Sequence, residues 1–226
     1  QFGVQKVLLV HGTFAGDDPF GIHAMMRASA ESLPAPARLA VNPVIDRLSE
    51  QTKRLTDTIT ADVANYSDGY RKRFQTLVGD DPEVRRLEPT WSSENNHIAR
   101  AGLAVRLLNE LVELQAEGFD PAHERVLLWG HSHAGNGFAI LSNLLANDRA
   151  SVEAFFDAAG DSLGPAGEVA RRALAAAPTP HPMANAIYVV TFGTPVRYGW
   201  DTNGLRSLVH VIHHRSLKDD DDPAAI

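Results

Sequence analysis

Apolar residues along the chain fall into four short, nearly unbroken runs separated by stretches with helical spacing. The first, VQKVLLV at 4–10, is rich in β-branched residues and stops at His11-Gly12. RVLLW at 125–129, AIYVVTF at 186–192 and LVHVI at 208–212 are similarly short and apolar. Continuous apolar runs of this size, bounded by turn residues, read as strands buried on both faces of a parallel sheet. A shorter, more polar strand is predicted over 86–91. Between the runs, Ala101, Val105, Leu108, Leu111 and Val112 share one face of a helix predicted over 98–117, with Ser92 and Ser93 as its capping region and Gly118 ending it. A second helix follows 135 through Leu145, and 148–180 reads as a further helical stretch closing in an Ala/Pro linker. Strands alternating with helices imply βαβ units and a mostly parallel sheet covered on both faces.

The segment 22–85 breaks this rhythm. Pro34, Pro36 and Pro43 interrupt it, while Leu48, Leu55, Ile59 and Val63 fall on one helix face. It is too long for one crossover helix, and two readings stand side by side: a helical cap inserted over the site, or an extended packing layer. With 226 residues, the chain is expected to form one domain over 1–226.

Composition narrows the possible partners. A net charge of −7 excludes a nucleic-acid surface, which needs concentrated positive charge; Arg71-Lys72-Arg73 has acidic neighbours and reads as a solvated helix face. With no cysteine, disulfides, thiolate metal sites and a cysteine nucleophile are excluded. No apolar run reaches the roughly 20 residues needed to span a bilayer. A soluble protein is expected, with the cytoplasm slightly preferred to secretion. Abundant Ala, and Arg in excess of Lys, hint at a GC-rich bacterial source.

The strongest chemical signal is the strand RVLLW running into Gly130-His131-Ser132-His133-Ala134-Gly135 and then into an apolar helix. A serine hydroxyl is a poor nucleophile unless it projects towards a base and lies beside oxyanion donors, and a tight strand-to-helix turn meets both needs. Small residues around Ser132 suit the crowding of such a turn, and the following helix contributes its N-terminal dipole and unpaired N–H groups. The competing reading is a Gly-rich turn whose serine only caps the helix.

This segment resembles the nucleophile elbow, G-x-S-x-G, of the α/β-hydrolases, with Ala134 in the last position. VLLVHGTFAG resembles the strand and oxyanion loop of the same superfamily, and VTFGTP at 190–195 looks like the strand end that follows the nucleophile helix in many lipases. The resemblance implies a three-layer α/β-hydrolase-like fold and a serine esterase or lipase without metal or cofactor. Its partner would be a small-molecule or lipid acyl ester. Ser132 would be the nucleophile, with the N–H of Thr13 or Phe14 and that of His133 facing the oxyanion and the Thr13 hydroxyl as a third donor. His97, in WSSENNH, is expected to cap or scaffold rather than catalyse.

The implied chain order is nucleophile, acid, histidine. His181 lies in the Pro-rich linker, whereas His213 and His214 follow the strand at 208–212, at the edge where open α/β sheets bind ligands. His214 is the preferred base and His213 the alternative. Asp201 is the expected acid. The run Asp219-Asp220-Asp221-Asp222 is expected to be a solvated tail, although the resemblance usually puts the acid after this strand and the histidine after one more. Two rivals remain. One is a non-catalytic binding module of the same fold. The other is a metal-dependent hydrolase built on His131 and His133, but the H-x-H pair lacks the Asp-His that should follow and flanks a serine in a turn.

Overall fold

The computed structural model describes residues 3–12, 66–88 and 90–212. Their centre is a five-stranded sheet of β1 (Val4–Val10), β2 (Glu83–Arg86), β3 (Arg125–His131), β4 (Ile187–Phe192) and β5 (Ser207–Val211). The spatial order is β2-β1-β3-β4-β5 and every neighbouring pair is parallel. Five helices accompany it: α1 (Asp68–Val78), α2 (His97–Ala116), α3 (Ala134–Ala146), α4 (Arg149–Ala159) and α5 (Gly164–Ala176). This is an α/β fold.

Alternation along each strand divides the core between two faces. Leu8, Val10, Val126, Leu128, Ile187 and Val189 point to one face and meet Leu107, Leu108 and Leu111 of α2. Those three leucines are fully buried, each contributing roughly 1.5–3 kcal/mol. On the other face Val7, Leu9 and Val84 pack with Tyr66, Tyr70, Phe74 and Trp129 beneath α1. Burial beside Tyr70 pushes the Tyr66 phenol well above its usual range. Helix α3 is buried almost all round because it lies between the sheet and its helical neighbours, which explains its unbroken FAILSNLLA sequence.

Where the elements differ from the sequence expectation, a local cause is visible. The helix predicted over 98–117 forms as α2, but Asn96 caps it by accepting from Ala99 N at 2.8 Å. Ser93 is instead fully buried at φ 59°. The strand expected over 86–91 moves upstream to Glu83–Arg86: Leu87 N makes a last bond to Leu9 O, and Pro89 has no N–H with which to continue a ladder. The stretch 148–180 splits into α4 and α5 at Gly160 and Gly164, whose φ values of 51° and 53° break the helix. Of the segment 22–85, the described part contributes α1 and the edge strand β2, layers of the sheet itself. Its remainder, including Leu48, Leu55, Ile59 and Val63, lies outside the described residues.

Gly204 tests the packing of the chain against α3. A Cβ there would overlap the Ser142 carbonyl oxygen and come within 2.9 Å of Ala146 N, both of them backbone. Gly204→Ala should destabilise by at least about 2 kcal/mol. Gly102→Ala, in α2 with nothing within 4 Å, should be neutral or stabilise by up to about 1 kcal/mol. Urea unfolding midpoints of the two variants give the comparison.

Candidate active site

In a sheet of order 2-1-3-4-5 the chain leaves β1 towards one side and resumes at β3 on the other, so the C-terminal ends of these two strands are the switch point at which open α/β sheets carry their ligand crevice. His11-Gly12 follows β1 and Ser132 follows β3. The two loops touch: a Cβ on Gly12 would lie 2.8 Å from both Ser132 Cβ and His131 O. Glycine at this position is therefore a packing requirement.

Ser132 occupies the turn between β3 and α3 at φ 53°, in the left-handed region that costs a non-glycine residue about 1–3 kcal/mol. Contacts on both sides hold it there. Ser132 N donates to Phe192 O at 2.8 Å at the end of β4. Ser132 O accepts from Gly135 N at 3.2 Å and from the Thr194 hydroxyl at 2.9 Å. Gly130 leaves room for the Phe138 ring, Gly135 for the Thr194 side chain, and Ala134 is completely buried. The VTFGTP segment thus supplies the carbonyl and hydroxyl that clamp the turn. The N–H groups of His133, the N-cap of α3, and Ala134, its first residue, have no acceptor among the described residues. They are the unpaired donors expected at a helix start.

Three aromatic and polar side chains shape the wall beside Gly12. His11 is buried and stacked on Trp91 with ring centroids 5.8 Å apart, and Trp91 Nε1 donates to His11 O at 3.0 Å. His11 Nδ1 lies 3.1 Å from Ser93 Oγ. Like Ser132, Ser93 holds a positive φ next to the crevice. Sequence reasoning missed this pair; the signal available was a serine doublet between a tryptophan and a helix cap.

The flanking histidines face different neighbours. His131 Nδ1 is buried against Gly12, whereas His133 Nδ1 lies 3.2 Å from Asn136 Nδ2. Asn136 also pins the chain after β4, donating to Pro195 O at 2.9 Å and accepting from Arg197 N at 3.2 Å. Burial holds the His131 imidazole below its usual range. Burial does the same at His133, reinforced by the charges of Arg100 and Arg197.

Asp201 is not brought to Ser132. The chain after β4 runs back along α3, with Asn143 donating to Gly199 O and Asp201 N donating to Ser142 Oγ. Ser142 is ten residues past Ser132, about 15 Å along a helix axis. The Asp201 carboxylate caps its own turn by accepting from Asn203 N at 2.8 Å. The expected position of Asp201 beside Ser132 is therefore corrected: it caps the turn at Thr202–Gly204 that leads into β5, far along α3 from Ser132. His210 contacts Thr191 Oγ1 and the Trp200 ring, and His181 is buried, its Nδ1 accepting from Met183 N. His97 begins α2 and lies 2.7 Å from the Tyr198 hydroxyl. Thr13, Phe14, His213, His214 and the run 219–222 lie outside the described residues.

No family model, curated protein or solved structure matches this chain. Among the described residues, no helix is long and apolar enough to cross a membrane.

Two outcomes follow from this geometry. Ser132→Gly should be more stable than Ser132→Ala by about 1 kcal/mol in urea unfolding, because glycine relieves the left-handed backbone whereas alanine keeps it. His131, His133 and His181 all have lowered pKa values, so the folded state holds them neutral while the unfolded chain takes up protons from about pH 6.5 downward. Their contribution is complete above that pH and is lost as the pH falls through the folded values. Thermal midpoints should drop between pH 7 and 5, and His181→Asn should flatten the slope.

Proposed function

We propose that the chain is a serine hydrolase of the α/β-hydrolase type, cleaving a carboxylic ester of a small molecule or lipid through an acyl-enzyme on Ser132. The observation that carries this reading is a serine at positive φ on a clamped strand-to-helix turn. It abuts Gly12 at the mouth of the sheet's switch-point crevice and is followed by two N–H groups without acceptors. Strain held at a crevice by contacts on every side is how a nucleophile is kept projecting from a fold.

In this reading Ser132 Oγ attacks the acyl carbon and the alcohol leaves. The N–H of His133, with those of Thr13 or Phe14 from the loop after β1, stabilises the tetrahedral oxyanion. His214, or alternatively His213, takes the serine proton and returns it to the leaving oxygen. Water then releases the acid. Asp201 is not assigned to the charge-orienting role, because it lies about ten residues along α3 from the nucleophile. Lowered pKa values keep His131 and His133 uncharged near neutral pH, and both are left to support the turn.

Wild type should label with a fluorophosphonate probe and hydrolyse p-nitrophenyl butyrate. Ser132→Ala should lose the label and at least about 10³-fold in kcat/KM. Absence of labelling in folded wild type would sink the enzyme reading in favour of a binding module. Replacing the true base among His213 and His214 by alanine should lower kcat by about 10²- to 10⁴-fold, and replacing the other should change it little.

A further inference from the structure

A second concavity lies on the helical side of the sheet, between the start of α2, the middle of α3 and the end of α4. Its volume is about 420 Å³, within the range of small-ligand sites. Ile98, Ala101, Ile140, Phe155 and Ala158 make its walls. Ile98 is 44% exposed at its mouth, an apolar side chain on a helix start that would otherwise favour polar residues. Ile140 lies eight residues beyond Ser132, about 12 Å along α3. The cavity is therefore separate from the crevice and does not depend on the hydrolase reading.

One end of this cavity is polar. His97 and Tyr198 both line it, with His97 Nδ1 2.7 Å from the Tyr198 hydroxyl. Behind them Arg100 is 2% exposed. Its guanidinium donates to the Tyr198 oxygen at 3.3 Å and to Asn95 Oδ1, and its carbon lies 5.9 Å from the Tyr198 ring centroid. Among the described residues no carboxylate pairs with it, and its Nε has no hydrogen-bond partner. A buried cation without a counter-charge carries a large desolvation cost, which an anion nearby would offset. The Tyr198 hydroxyl, which accepts from that guanidinium, and the His97 ring are the polar groups that line this end of the cavity.

We propose that this cavity binds an amphiphilic monocarboxylate, a medium-chain fatty acid or an anion of the same shape. The alkyl chain lies against Ile98, Ala101, Ile140, Phe155 and Ala158. The carboxylate meets the Tyr198 hydroxyl and His97 above the buried charge of Arg100.

Calorimetric titration of the full chain with octanoate, 1-octanol and acetate separates the contributions. Octanoate should bind one to one, 1-octanol at least fivefold more weakly, and acetate without saturation. Ala158→Leu fills the cavity from an exposed position on α4 that the fold tolerates, and should weaken octanoate at least tenfold. Tyr198→Phe should bring octanoate and 1-octanol within twofold of each other. Ser132→Ala should bind octanoate as wild type does, whatever the labelling experiment shows. Failure of wild type to bind octanoate saturably, or an unchanged affinity in folded Ala158→Leu, overturns the site. Equal binding of octanoate and 1-octanol by wild type overturns the anion specificity, and loss of binding in Ser132→Ala moves the ligand to the crevice and overturns the assignment.

Discussion

The closeness of three strand ends is the constraint on which the rest depends. β1, β3 and β4 finish side by side, and the backbone of Ser132 is caught between Gly12, Phe192 O and the Thr194 hydroxyl. The left-handed φ at Ser132 survives because those contacts leave it no relaxed alternative. Glycine at 12, 130 and 135 is the counterpart of that crowding: each is a place where a side chain would push neighbouring elements apart. The conformation of the turn at Ser132 is therefore a property of the packed sheet and helix together.

The same packing decides the course of the chain after β4. Polar side chains on the outer side of α3 fasten residues 195–201 along the helix: Asn136 to Pro195 and Arg197, Asn143 to Gly199, Ser142 to Asp201. This strap carries Tyr198 to the start of α2, where it covers Arg100 and meets His97. It also carries Asp201 away from the crevice. One set of hydrogen bonds thus builds the wall of the second cavity and holds Asp201 away from Ser132. Around Ser132 burial favours a neutral imidazole at both 131 and 133, and the cations Arg100 and Arg197 add to it at 133.

Opposite the strap, His11, Trp91 and Ser93 fix the exit of β1. The Trp91 indole donates to the His11 carbonyl while its ring stacks on the imidazole, so the segment after β2 is tied to the segment after β1. Residues far apart in the chain thereby set the side of the crevice facing Ser132.

The amino-acid sequence by itself determined the four apolar strands, the helices α2 and α3 and the place of the turn at Ser132, because each is written in local periodicity or in neighbours within a few residues. RVLLW followed by GHSHAG needs no distant partner to be read as a strand entering a tight turn. Asp201, Ser93 and Arg100 were decided only by tertiary structure. A strand end does not state which way the following loop runs, and the strap on α3 sends Asp201 to the far end of the sheet. Ser93 reads locally as a helix cap, and only its contact with His11, across 82 positions, makes it part of the crevice wall. Arg100 reads as one polar position on an amphipathic helix, and its burial arises when Tyr198 is laid over it. In each case the deciding energy comes from a contact between segments that local patterns do not connect.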